Sequence, residues 1–197
     1  MVDRPVGGSA GGINVRGSTR GWRWQPTEPY DLAMSDETTM LLNYLENQRA
    51  HVVSILEGLT EEELRRPLVP SGWSCLSLVK HLALDVEHYW FQCIVAGDSL
   101  DYFRIGTDTE VDAWKIEPTE SSEDVLTLYR QETERANAII ASTELDAVPR
   151  QVDPSWGEWA PTDLRYIMLH VITETACHAG HLDVARELLD GHQYLVL

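Results

Sequence analysis

The chain has 197 residues, 43% of them hydrophobic, and a formal net charge of −17. This length and composition suit one ordinary globular domain, and no apolar run reaches the roughly 18 residues that a membrane span needs. So acidic a surface repels phosphates, which disfavours nucleic acid and anionic membranes as partners.

The charge is uneven. Residues 1–34 hold four Arg against Asp3, Glu28 and Asp31, a balance of +1, so residues 35–197 carry −18, from 11 basic and 29 acidic side chains. Residues 1–34 are rich in Gly, Arg, Ser and Pro and have no sustained period. They read as a flexible N-terminal extension that Trp22 and Trp24 could tack onto the surface, and they lack the apolar core of a secretory signal. Met34-Ser35-Asp36 marks the start of the folded part, and residues 35–197 are expected to form a single helical domain.

The first helix is expected from about Asp36 to Glu57. Ser35 or Asp36 caps it, Leu41, Leu45, Val52 and Leu56 form its apolar stripe, and Gly58 ends it. Thr60-Glu61-Glu62-Glu63 reads as a capped extra turn. A loop with Pro67 and Pro70 leads through Ser71-Gly72-Trp73 to the second helix, from about Ser74 to Ala96, stopped by Gly97. Its main apolar face is Leu78, Val79, Leu82, Val86 and Trp90. His81, Asp85, His88 and Gln92 form a polar stripe on its flank, facing either solvent or a water-filled pocket between helices. Residues 98–120, with Trp114 and Pro118, form a long irregular link. The third helix runs from Ser121 or Ser122 to about Ala141. After a loop with Pro149, Pro154, Trp156, Trp159 and Pro161, the fourth runs from about Thr162, capped there, to Gly191. No alternating strand pattern competes. The expected fold is all-α: a four-helix bundle with a long connection between helices two and three. Cys75, Cys93 and Cys177 are odd in number and contain no CxxC pair, which fits a reducing cytoplasm.

The fourth helix carries the chemistry. At 100° per residue, Leu164, Ile167, Val171, Leu182, Ala185 and Leu189 share one face, and Glu174 and His178 fall inside it. Arg165, Asp183, Arg186 and Glu187 point elsewhere, as a solvated face should. A carboxylate among core positions is costly unless paired. Arg49 or Arg165 is one kind of partner. A divalent metal is the other, because Glu174 and His178 stand one turn apart and His81 is a candidate third ligand from the helix across the bundle. Three His or carboxylate ligands with an open fourth position suit catalytic zinc, and such donor sets also take Ni²⁺ or Fe²⁺. Two metals are not expected, because paired Glu-x-x-His motifs are lacking. His170 and His181 are either partners that orient ligands or ordinary polar edge positions. His51, His88 and His192 read as surface residues. Cys177 points about 100° away from His178 and has no neighbouring base to make it a nucleophile. Trp73, Trp90, Trp156 and Trp159 pack the core or wall an apolar substrate pocket.

The stretches Gly72-Trp73-Ser74, Leu78-Val79-Lys80-His81-Leu82-Ala83, Tyr89-Trp90-Phe91 and Gly97, followed by Leu164-Arg165, His170 to His181, Arg186-Glu187 and Asp190-Gly191, resemble the DinB-like superfamily of four-helix-bundle metalloenzymes. Within it they are most similar to the branch of mycothiol-dependent maleylpyruvate isomerase and the mycothiol transferases. The resemblance spans about residues 36–192. It implies a metal held by His81, Glu174 and His178, usually zinc, with Glu at the first position of the last pair favouring the mycothiol branch. Cys177 departs from the Arg often found there. The resemblance further implies a transferase or isomerase acting on a small-molecule electrophile with a low-molecular-weight thiol of the mycothiol type, and a possible homodimer. His170 and Asp85, or else His181, are candidates for proton transfer. The alternatives are a metal-dependent hydrolase that activates water instead of thiol, and a non-catalytic metal-binding dimeric stress protein.

Overall fold

Helix α1 (Asp36–Ser54) forms where Leu41, Leu45 and Val52 line one stripe, and all three are buried. The computed structural model describes residues 36–100 and 112–194. The expected N-terminal extension, with Trp22, Trp24 and Ser35, lies outside the described residues. Helix α1 stops at Ser54, short of the expected Glu57. The chain there tightens into three-residue turns, Leu56 N–H donating to Val53 O and Glu57 N–H to Ser54 O, before Gly58 turns away at φ 83°. Helix α2 (Glu61–Arg65) is the expected capped turn, with Thr60 and Glu63 capping each other's backbone N–H groups.

Helix α3 (Cys75–His81) starts at Ser74, whose side chain accepts from Ser77 N–H. Its continuation departs from expectation. Residues Leu82–Val95 wind as a π-helix, closing i→i+5 hydrogen bonds, and Ala96 N–H still donates back to Phe91 O. The expected single α-helix is thus one continuous rod in two registers. Helix α4 (Ser122–Ala141) begins with Ser121 and Asp124 capping one another. Helix α5 (Leu164–Asp190) is capped by Asp163, which accepts from Tyr166 N–H, rather than by Thr162. Asp163 wins because its carboxylate is ionised at the positive end of the helix. Gly191 ends α5 in the left-handed region at φ 77°.

The four long rods form the bundle. Helices α1 and α5 run parallel, since Arg165 pairs with Glu37 at one end and His51 with Asp183 further along. Arg186, expected on a solvated face, is buried instead. Its guanidinium donates to Ile55 O and Glu57 O, the carbonyls just beyond the C-terminus of α1, where a cation is favoured. His51 and His88 are also partly buried and paired, with Asp183 and Glu132 respectively, rather than surface residues. Arg49 is buried and bonds both oxygens of buried Glu87 at 2.7 and 2.5 Å, and also Glu46 and Asn137, tying α1 to the π-helix and α4. Among the described residues, no helix is long and apolar enough to cross a membrane.

Candidate metal centre

Helix α3 with its π-helical continuation runs antiparallel to α5. His81 faces His178 with ring centroids 5.0 Å apart, and Trp90 faces His170 at 4.6 Å. Nine residues on one rod therefore span the length of eight on the other. The wider π turns accommodate the extra residue.

On this seam His81, Glu174 and His178 converge. Each offers a ligand atom within 4.8 Å of the other two. Their environment differs from the expected one in one respect. Glu174 is not among the core positions: Val171, Thr175 and Ala179 hold the buried face there, while the Glu174 side chain keeps 38% of its surface exposed. The two histidine side chains are more enclosed, at 13% each. Neither arginine considered as a partner reaches Glu174, because Arg49 is held by Glu87 and Arg165 by Glu37. Glu174 Oε1 instead lies 3.2 Å from His178 Nε2.

The polar stripe of the second helix divides in two. His81 Nδ1 lies 2.8 Å from Asp85 Oδ2, so the carboxylate holds the Nδ1–H tautomer and leaves Nε2 with its lone pair for a ligand role. His88 and Gln92 turn the other way, onto Glu132 of α4. His178 Nδ1 has His181 Nδ1 at 3.4 Å, and His181 itself is exposed. Burial and the neighbouring His81 charge lower the pKa of His178, with Glu174 opposing them, so a neutral imidazole is favoured, as metal ligation requires. His170 lies one turn before Glu174 and meets Trp90 edge to face. Cys177 is exposed, while burial pushes the Cys75 and Cys93 thiols up to about 11 and about 12.

One side chain at the site carried no periodic signal in the sequence. Trp114, in the link between the second and third rods, stacks on His81 at 4.2 Å and reaches to 6.2 Å from the His178 ring. Its position is fixed from the next residue along. Buried Lys80 donates to Lys115 O at 2.8 Å and to the Glu120 carboxylate at 2.9 Å, pinning the link beside His81. Trp114 and Trp73, with Ser71 and Gly72, line a cleft of about 420 Å³. Trp73 comes within 6.1 Å of the His181 ring, so the cleft opens beside the histidines.

The donor set fits a divalent ion. Two imidazoles and a carboxylate converge, one imidazole is held by a carboxylate behind it, and no fourth His, Cys, Asp or Glu of the described residues joins the group. The family model of the mycothiol S-transferases matches residues 40–191. The chain belongs to the mycothiol S-transferase family. A comparison with curated proteins found no match. The match runs from within α1 to the glycine that ends α5, so this family's pattern takes in every residue of the seam.

Proposed function

We propose that the protein is a metal-dependent thiol S-transferase that joins a mycothiol-type thiol to a small electrophile, with Zn²⁺ held by His81, Glu174 and His178. The observation that carries this reading is the convergence of the three ligand atoms beside an aromatic cleft, within a chain of the mycothiol S-transferase family. When bound, the ion lowers the pKa of a coordinated thiol, so that the nucleophilic thiolate is available at neutral pH. Asp85 orients His81 through Nδ1. His170, on the same flank of α5 as Glu174, is the proposed group for proton transfer. Trp114 shields His81 from water on one side, and the cleft it shares with Trp73 is suited to an apolar electrophile. Three donors among the described residues support an open fourth position and so favour an enzyme over a closed structural site. Free cysteines support a reducing, cytoplasmic setting, and the apolar outer face of α1 and α5 (Met40, Tyr44, Leu169, Val184, Leu188) supports a homodimer.

Elemental analysis of the purified protein and of the His178→Ala variant tests the ligand set. Metal is expected in the first and lost from the second, and unchanged stoichiometry would overturn the assignment. Turnover of an electrophile is expected only when thiol is supplied. Equal rates without thiol would replace transfer by hydrolysis.

A further inference from the structure

The seam between α3 with its π-helical continuation and α5 does not end at the ligands. Away from the Trp114 cleft it continues past His170 to a second group of aromatic side chains. Trp90 packs against His170, Trp156 stacks on Trp90 at 5.3 Å and 21°, Trp159 meets Trp156 edge to face at 5.0 Å, and Tyr166 lies 6.0 Å beyond. The indoles climb outward. Trp90 is buried, Trp156 is half-buried, and Trp159 is 46% exposed. A Trp placed only to fill a core would not leave nearly half its surface to water. A carboxylate stands fixed at the rim: Asp153 accepts from Tyr89 Oη at 2.6 Å and from Ser155 N–H at 2.8 Å. Between the two aromatic groups solvent reaches the Asp85 and Glu174 side chains, which are 33% and 38% exposed.

We propose that this platform, with Trp156 and Trp159 as its stacking faces and Asp153 as its hydroxyl acceptor, binds the uncharged ring portion of the thiol cosubstrate. The inference rests on the thiol-transfer reading and adds where that thiol lies. Mycothiol carries its cysteinyl sulfur on two linked polyhydroxylated rings without net charge. Such rings offer C–H faces to indoles and hydroxyls to carboxylates. Eight residues of α5 separate His178 from His170, about 12 Å along the axis. That is the scale on which a sulfur at the ligands would place the attached rings beside Trp156. At the other end of the seam, where Trp114 lies against His81, the Ser71–Trp73–Trp114 cleft is left to the electrophile. The two aromatic groups thus serve two substrates, one on each side of the ligands.

The test titrates the thiol-free N-acetylated glucosaminyl-inositol into the wild-type protein and into the Trp159→Ala and Trp156→Phe variants by calorimetry. Trp159 lies outside the buried core of the bundle, so its loss spares the helix packing. The disaccharide should bind the wild type and lose about tenfold or more in affinity in Trp159→Ala, with a smaller loss in Trp156→Phe, which keeps a stacking face. In turnover, Trp159→Ala should raise KM for mycothiol by a similar factor and leave KM for the ring-free thiol N-acetylcysteine unchanged. Absent disaccharide binding, equal affinity in all three proteins, or an equal rise in KM for both thiols would overturn the platform. If thiol transfer itself is wrong, no thiol is turned over by the wild type, and the calorimetric arm alone still decides whether the rings bind here.

Discussion

At the scale of single residues, the proposed centre leans on a carboxylate outside the ligand set. Asp85 sits four residues after His81 and bonds its Nδ1. Removing it by Asp85→Ala frees the ring to rotate and to change tautomer. Metal affinity should then fall by about 10- to 100-fold, measured by competition with a chelator of known affinity. Unchanged affinity would mean that packing by Trp114 alone orients the ring. The sequence displayed part of this centre. Glu174 and His178 announce themselves because one helical turn separates them, and His81 with Asp85 does the same on the facing rod. The helical wheel misjudged Glu174, because a wheel ranks positions by angle and cannot register that Thr175 and Ala179 take the buried centre. Trp114 was invisible as a site residue, since it arrives from a link without periodicity, drawn in by a bond between Lys80 and a backbone carbonyl 35 residues away.

At the scale of elements, the helices follow their apolar stripes and caps closely enough that four rods were legible. What escaped was how they are joined. Arg186 reads as a solvated position in the sequence, yet it is buried, as are Arg49, Glu87, Lys80 and Glu132, each satisfied by a partner on another element. Pairings across 38 residues, as for Arg49 and Glu87, leave no local pattern. Arg49→Met strands the Glu87 carboxylate, which is 1% exposed, and should destabilise the bundle by about 3–5 kcal/mol in denaturant unfolding. The double variant Arg49→Met, Glu87→Met should regain most of that loss, because it buries no orphaned charge. A double variant no more stable than the single one would show that the pair, not the avoidance of a lone charge, supports the fold.

At the scale of the whole molecule, the net charge of −17 bears on any charged small molecule that approaches, the thiol of the proposed transfer included. Glutathione and bacillithiol-type thiols carry net negative charge at neutral pH and are repelled on approach, while an uncharged thiol is not. Raising ionic strength from about 0.01 to 0.15 M shortens the screening length from about 30 to 8 Å. KM for the anionic thiols should therefore fall severalfold over that range while KM for mycothiol stays level. A salt-independent ratio between them would place the discrimination in local contacts. The acidic balance was plain from composition. Its bearing on thiol choice follows from the family and the proposed site, neither of which composition contains.

Nine residues facing eight across the seam also constrain how such a chain can drift. Deleting one residue between Leu82 and Tyr89 lets those turns rewind as α-helix with eight residues facing eight, so His81 stays opposite His178 and Trp90 opposite His170. An added residue has no such outlet and would break one of the two pairings. Single-residue gaps in this stretch should therefore occur in relatives that keep both the three ligands and the aromatic ladder, whereas insertions should accompany the loss of one of them.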